Sequence, residues 1–542
     1  MKVNPLLILA LVAPSFTAVA QRRAPGTDTV LKGSTIEVLQ SYKPKVKQSR
    51  KPEWKPQLPP VDTSLPSLTF DVPQQTLYYT YHSQPLRPLA LGKTIADTTF
   101  PNYVKAGGGN VSTAYLDAGI GSLRGDNYET AIHLHHLSQK GKLKNQQSSL
   151  SGLEAEGTLY NEKNDVHAAV VGARNRYHYY GYNNTLYNYE KDDVRQTYTS
   201  IKLAADLNNN KDTSTRFYYH PGISGSYYGA RYNTSEISLG LNAPIAYRIN
   251  KNLDLYMGIS GMLTSYKADT ITTANNYIMG APGVQVNTKR FKGHALAGFA
   301  LGKDGSTYFL PDLVATYSIP DFDMKATLGW NATLRQNTYE QQTTENPFML
   351  SNYQVIQTRK DEIYALLEGN VGNRISWSGK ASWWNCFDMP TFLNDTGDQK
   401  EFYVLYQNVK ALSFQFGARY QMAGKWSVGA NADLYNFYYS TDQHVWHEPS
   451  TRIKADVTVS PTAKLNLSAY AYLLGGINAR DTAFNAVKLK TIADVGLNAE
   501  YAIIPRLSAF IQANNLLNSK YQRWQGYEVY GFNIYGGLRL KF

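Results

Sequence analysis

Residues 412–435 read LSFQFGARYQMAGKWSVGANADLY, and this stretch decides the fold. Leu412, Phe414, Phe416, Ala418 and Tyr420 fall on one face of an extended chain; Ser413, Gln415, Gly417, Arg419 and Gln421 fall on the other. Ala423-Gly424-Lys425 then turns the chain, and Trp426, Val428, Ala430, Ala432 and Leu434 resume the apolar face opposite Ser427, Gly429, Asn431, Asp433 and Tyr435. The next hairpin repeats the pattern, with Ile453, Ala455, Val457 and Val459 opposite Arg452, Lys454, Asp456 and Thr458. A soluble sandwich with one wet face also alternates. These runs, however, are roughly 9–12 residues long, beyond the usual soluble strand and matched to a tilted membrane strand. Tyrosines also crowd strand ends, as in residues 177–189 (YHYYGYNNTLYNY), where they read as an interfacial aromatic girdle.

Working outward, tight connections fall at 162–164, 250–252, 320–321, 373–374, 423–424, 461–462 and 505–506, with longer polar loops at 183–193, 338–360, 385–401 and 436–450. Alternating these as periplasmic turns and outer loops predicts an all-β fold: a transmembrane antiparallel β-barrel over 102–542 of about 22 strands, within a range of 18–22. Its first strand is Tyr103 to Gly109.

Composition agrees. The 542 residues have a mean hydropathy of −0.40, which excludes a bundle of membrane helices, and 43% hydrophobic content excludes a disordered chain. A single cysteine, Cys386, rules out an intramolecular disulfide and reads as a packed loop residue. Residues 1–20 form an expected signal peptide: Met1-Lys2, the apolar run Leu6 to Ala13, then Ala18-Val19-Ala20 as cleavage site. Export to the outer membrane of a diderm bacterium follows, with lipid and lipopolysaccharide as surroundings. The pI of 9.2 therefore does not indicate nucleic acid.

Residues 21–101 hold eleven of the 23 prolines and have the makings of an extended periplasmic segment. The run 43–55 (KPKVKQSRKPEWK) is strongly basic. Apolar residues further on, including Phe70, Leu77, Tyr79 and Tyr81, suggest that 66–101 gates the lumen.

At the C-terminus Phe532, Ile534, Leu538, Leu540 and Phe542 share one face, with Asn533, Tyr535, Arg539 and Lys541 on the other. Tyr535, Leu538, Leu540 and Phe542 resemble the signal read by the barrel insertion machinery. The stretch 506–542 resembles the final hairpin of TonB-dependent receptors through Asn515, Leu516, Leu517, Asn518, Tyr521, Gly526, Tyr527 and Phe542. The wider chain resembles plug-less TonB-receptor-like barrels of Bacteroidetes, at Tyr42-Lys43-Pro44, Asn102-Tyr103-Val104, Glu345-Asn346-Pro347-Phe348 and Arg359-Lys360-Asp361-Glu362. The resemblance implies a solute channel or transporter-like barrel. The 81 residues from Gln21 to Pro101 lack the Gly-rich, Arg-bearing motifs of a plug, so 21–101 is at most a vestigial plug and TonB a doubtful partner. The alternative is an accessory or structural barrel of an envelope assembly or secretion complex, docked to another envelope protein.

No catalytic or cofactor constellation is legible, so no enzyme and no cofactor are expected. His133 and His135 would share the lumen face, but no third ligand is apparent, and they read as ordinary polar lumen residues rather than a metal site. His444 and His447 lie in an expected outer loop. The expected lumen lining is Arg419, Asp433, Arg452, Lys454, Asp456, Lys488, Lys490, Asp494, Glu500 and Arg539.

Overall fold

The computed structural model describes residues 101–542 apart from 210–214, 270, 321, 352–353, 423–424, 440–443 and 484. The expected signal peptide, the Pro-rich segment and the gate residues Phe70, Leu77, Tyr79 and Tyr81 lie outside the described residues.

The described residues form a closed, antiparallel barrel of 22 strands with one short α-helix. Its first strand is Tyr103–Gly109 and its last Asn533–Lys541. Each strand pairs with its sequence neighbours, and the first pairs with the last, so no edge is left open. Every short connection expected from the sequence joins consecutive strands at one end of the barrel, here the turn end; the long connections gather at the other, the loop end. One wall strand is broken: Phe217–Tyr219 and Gly222–Ala230 both pair with Thr234–Asn250, and Pro221 stands in the gap because proline has no ladder donor. Two small hairpins, Asn478–Arg480 with Ala486–Lys488 and Gln522–Trp524 with Tyr527–Glu528, belong to loops.

Alternation sorts the wall. Leu153, Leu203, Leu328 and Phe416 are each at least half exposed and point away from the lumen. Such an apolar surface would make a soluble protein stick, but it is what a lipid-facing belt requires.

The closing seam is made of glycine. Gly107 opposes Gly537, and Gly108 opposes Gly536. The backbones meet so closely that a Cβ on Gly537 would stand 1.9 Å from the carbonyl oxygen of Ala106. Beyond the glycines, Asn110 grips the last strand: its amide nitrogen donates to the Phe532 carbonyl (3.0 Å) and its oxygen accepts from the Ile534 N–H (2.8 Å).

Two loops start later than expected. The strands Ile375–Asn394 and Trp426–Tyr439 run past positions 385 and 436, and Cys386, Phe392 and Leu393 are buried at the loop end. Cys386 is therefore a buried strand residue.

Candidate functional site at the looped-over mouth

The largest buried core lies among the loops rather than in the wall. Tyr339, Met349, Val355 and Phe402 are fully buried together with Tyr198, Tyr228, Tyr266, Phe392, Trp524 and Tyr527. Residues 337–356 supply its centre. There the helix α1, Tyr339–Glu345, starts at Thr338, whose hydroxyl accepts from the Gln341 N–H. Glu236, on a distant wall strand, accepts from the Tyr339 N–H (2.6 Å) and so satisfies another free donor of that helix end.

This loop crosses the mouth. It leaves the strand Met324–Gln336, yet Tyr198 donates to the Pro347 carbonyl (2.9 Å), Tyr228 bonds the Thr343 hydroxyl (2.6 Å) and Tyr266 donates to the Ser351 carbonyl. From the opposite side the last loop, 515–532, meets it. Phe348 stacks on Tyr527 with ring centroids 3.6 Å apart, and Tyr180 lies edge-on to Tyr527 at 4.8 Å. Gln146 and Tyr180 hold the Glu528 carbonyl, at 2.8 and 2.9 Å, and Asn394 donates to the Gln525 carbonyl (3.2 Å). His447 joins the two halves: it bonds the Phe392 carbonyl through Nδ1 (2.7 Å), and its own carbonyl accepts from Arg523. Complete burial lowers its pKa to about 3, so the ring is neutral and Nδ1 carries the proton.

The tyrosines of 177–189 are a correction. Tyr179 and Tyr182 are 1% and 5% exposed in a smaller cluster with Val194, and Tyr177 and Tyr180 pack against the mouth core; Phe348 touches both. These four tyrosines hold the loops together and are not part of a girdle.

The last-hairpin motif acquires a physical role. Asn515 and Asn518 both adopt left-handed backbone conformations, which asparagine tolerates. Asn515 Oδ1 accepts from the Ser519 N–H (2.9 Å), and Asn518 Oδ1 from the Phe532 N–H (2.8 Å), tying the loop at both ends.

Beneath the loops lies a recess of about 470 Å³ whose charged lining is Arg335, Lys360 and Arg452 against Glu345, Glu362 and Glu448. Arg452 pairs with Glu448 (2.6 Å) and Lys360 with Glu362 (3.2 Å). Glu345 borders the recess; the surrounding protein, then the Glu448 carboxylate, push its pKa up to about 7. Burial likewise raises Glu401, in the loop 395–401, to about 6.

The expected lining residues separate into three groups. Arg419, Asp433, Arg452, Lys454, Asp456, Glu500 and Arg539 lie on wall strands and alternate with exposed apolar neighbours. Arg419 pairs with Asp456 (2.9 Å) and Arg539 with Glu500 (3.4 Å). Lys488 and Lys490 are not on the wall: alternation continues from the barrel into the loop hairpin ending at Lys488, and nothing local separates the two. Asp494 is on the wall but only 6% exposed; it accepts from the Tyr521 hydroxyl (2.5 Å) and the Asn515 N–H (3.2 Å), anchoring the last loop. At the C-terminus Leu538, Leu540 and Phe542 point outward, while Tyr535 is buried on the lumen side against Tyr115. Sequence reasoning missed Glu236, Phe348 and His447 as core-builders, since their partners are more than fifty residues away.

No family model and no curated protein matches the sequence. Solved structures do match. The FrpB iron transporter from Neisseria meningitidis (F3-3 variant) has a TM-score of 0.64 at 12% identity, over 82% of each chain. The copper transporter OprC gives 0.59 at 11%, over 81% of this chain and 80% of that one. The ferripyoverdine receptor of the outer membrane of Pseudomonas aeruginosa gives 0.60 at 12%, over 81% and 71%. This chain shares their barrel fold.

Proposed function

We propose that this chain is a non-enzymatic, transporter-like barrel of the outer membrane, of the TonB-dependent-receptor type found in Bacteroidetes. Its loop end faces outward and its turn end the periplasm. The observation that carries the reading is the aromatic core over the mouth: loops rooted on opposite sides of a wide barrel meet there and are buried together. A 22-strand barrel is wide enough to need an obstruction. Here the loops supply one at the outer mouth, and residues 66–101, through Phe70, Leu77, Tyr79 and Tyr81, supply a second from the periplasmic side. The mature protein starts after residue 20, and the segment 21–101 is periplasmic. The charge-balanced recess below the loops suits a polar solute. Conductance of the full-length protein in planar bilayers tests this: low basal conductance that rises when the loop core is broken supports it, and a barrel that never conducts refutes it.

One observation favours the accessory-barrel reading. Exposed apolar side chains run from Ile237 to Ile249 on the strand Thr234–Asn250, but only from Leu153 to Leu159 on Gln147–Tyr160. Above Leu153 the outward positions become polar, with Ser151 opposite Arg174 and Ser149 opposite Arg176. A wall sector polar at that height suits a docked envelope protein. Stoichiometric co-purification from outer membranes, lost when Arg174 and Arg176 become Glu, would establish it.

A further inference from the structure

The strand Tyr128–Lys140 sends Leu134 outward and turns His133 and His135 to the lumen. Pairing with Gln147–Tyr160 sets Glu154 opposite His133 and Gly152 opposite His135. The sequence offers no sign of that register, so the third group is invisible until the strands are paired. One ligating atom from each of His133, His135 and Glu154 lies within 4.8 Å of the others. A tetrahedral ion with bonds of about 2.0–2.1 Å holds its ligand atoms roughly 3.4 Å apart, so side-chain rotations close the difference.

We propose that His133, His135 and Glu154 form a divalent transition-metal site on the lumen wall, fitted best by Zn²⁺. Two imidazoles and one carboxylate make a borderline donor set, which excludes Mg²⁺ and Ca²⁺ and admits Cu²⁺ and Ni²⁺ as competitors. Two further features support it. Gly152 makes room for the His135 ring: a Cβ there would stand 2.3 Å from Cε1 and 2.8 Å from Nε2 of that imidazole. Asp117 Oδ2 lies 3.0 Å from His133 Nε2 and orients the ring, leaving Nδ1 for the ion. Asp117 is thus a positioning residue. Among the described residues no hydrogen bond or ion pair occupies His135 or Glu154. Three protein ligands leave the fourth position to lumen water, so the ion exchanges from the lumen. The inference does not rest on the transport reading.

The test uses untagged, full-length protein in detergent, titrated with Zn²⁺ against a chromophoric chelator. One equivalent is expected, unaffected by excess Mg²⁺. His135→Ala and Glu154→Gln should each weaken binding by at least about tenfold, and Asp117→Asn by about 10- to 100-fold. His136→Ala should change nothing, because that ring bonds Ser151 instead. Unchanged binding in both ligand variants overturns the site. Heat-modifiable migration checks that each variant is a barrel. Co²⁺ added to the wild type provides a measurement that needs no variant: the intense visible absorption of a four-coordinate ion is expected, and its absence overturns the proposal.

Discussion

Replacing Tyr527 with alanine should open the mouth without unfolding the barrel. Tyr527 is 3% exposed, stacks on Phe348, touches Tyr180 and Phe402, and donates its hydroxyl to the Lys400 carbonyl. Truncating a buried aromatic of this size costs about 3–5 kcal/mol through lost transfer energy and the cavity left behind. Every one of those contacts is between loops or strand ends at the mouth, so the loss falls on the closed arrangement of the loops and not on the ladders of the wall. At about 1.4 kcal/mol per factor of ten, the closed-to-open ratio should fall roughly a hundred- to a few-thousandfold. Leu517→Ala is the control, since Leu517 lies in the same loop but is 56% exposed. Single-channel conductance, with trypsin cleavage within 515–532 as a second readout, measures the change. If Tyr527→Ala leaves both at the wild-type level while the barrel stays heat-modifiable, the aromatic core is not what closes the mouth.

Deleting 66–101 in the Tyr527→Ala background should raise conductance further; no added effect would show that this segment is not a second barrier. Burial displaces three loop groups in opposing senses. The raised pKa values of Glu345 and Glu401 tighten the loops as pH falls through about 7 and 6, because the closed state holds those protons longer than an open one. The depressed value of His447 loosens them as pH falls from 6.5 toward 3, because only the opened loops take up that proton early. A Glu345→Gln, Glu401→Gln double variant should therefore lose trypsin resistance steadily on acidification from pH 7 to 5, where the wild type changes less. In a Cys386→Ser background, a cysteine at Thr482 should be labelled on whole cells and one at Lys425 spared; the reverse pattern would invert the membrane orientation. Native Cys386, 7% exposed, should react with maleimide only after denaturation. Removing Phe542 should slow membrane insertion and leave export intact, as measured by pulse-chase fractionation.

The wall was legible because its signals are local. Strict alternation from Leu412 to Tyr435 needs only adjacent residues, and the turns at 250–252 and 505–506 carry the Asn and Pro that favour such turns. Even the first strand, Tyr103–Gly109, has the expected bounds. What stayed hidden depends on distance. Tyr179 and Tyr182 have the composition of a girdle, and only the approach of Phe348 from another loop makes them a core. Lys488 continues an alternation that the chain uses equally well in a loop hairpin. Asp494 looked like one more wall charge, because nothing near it in sequence announces Tyr521. Glu154 could not be assigned to His133 before strand register was known.

The barrel is joined at its most sequence-distant seam: Asn102 bonds Phe542 there, and the Asn110 amide reaches Phe532, 422 positions away. Loop closure over that span makes this contact the slowest to find, so during assembly the wall is an open sheet whose ends meet last. Glycine-rich strands specify register poorly, and a slip of one residue would turn every lipid-facing side chain of the last strand into the lumen. The paired glycines let the ends come together, but they cannot tell one alignment from the next. Asn110 can, because its single amide reads both the carbonyl of Phe532 and the N–H of Ile534. One asparagine thus acts as the alignment mark by which a newly made cylinder recognises that it has closed correctly.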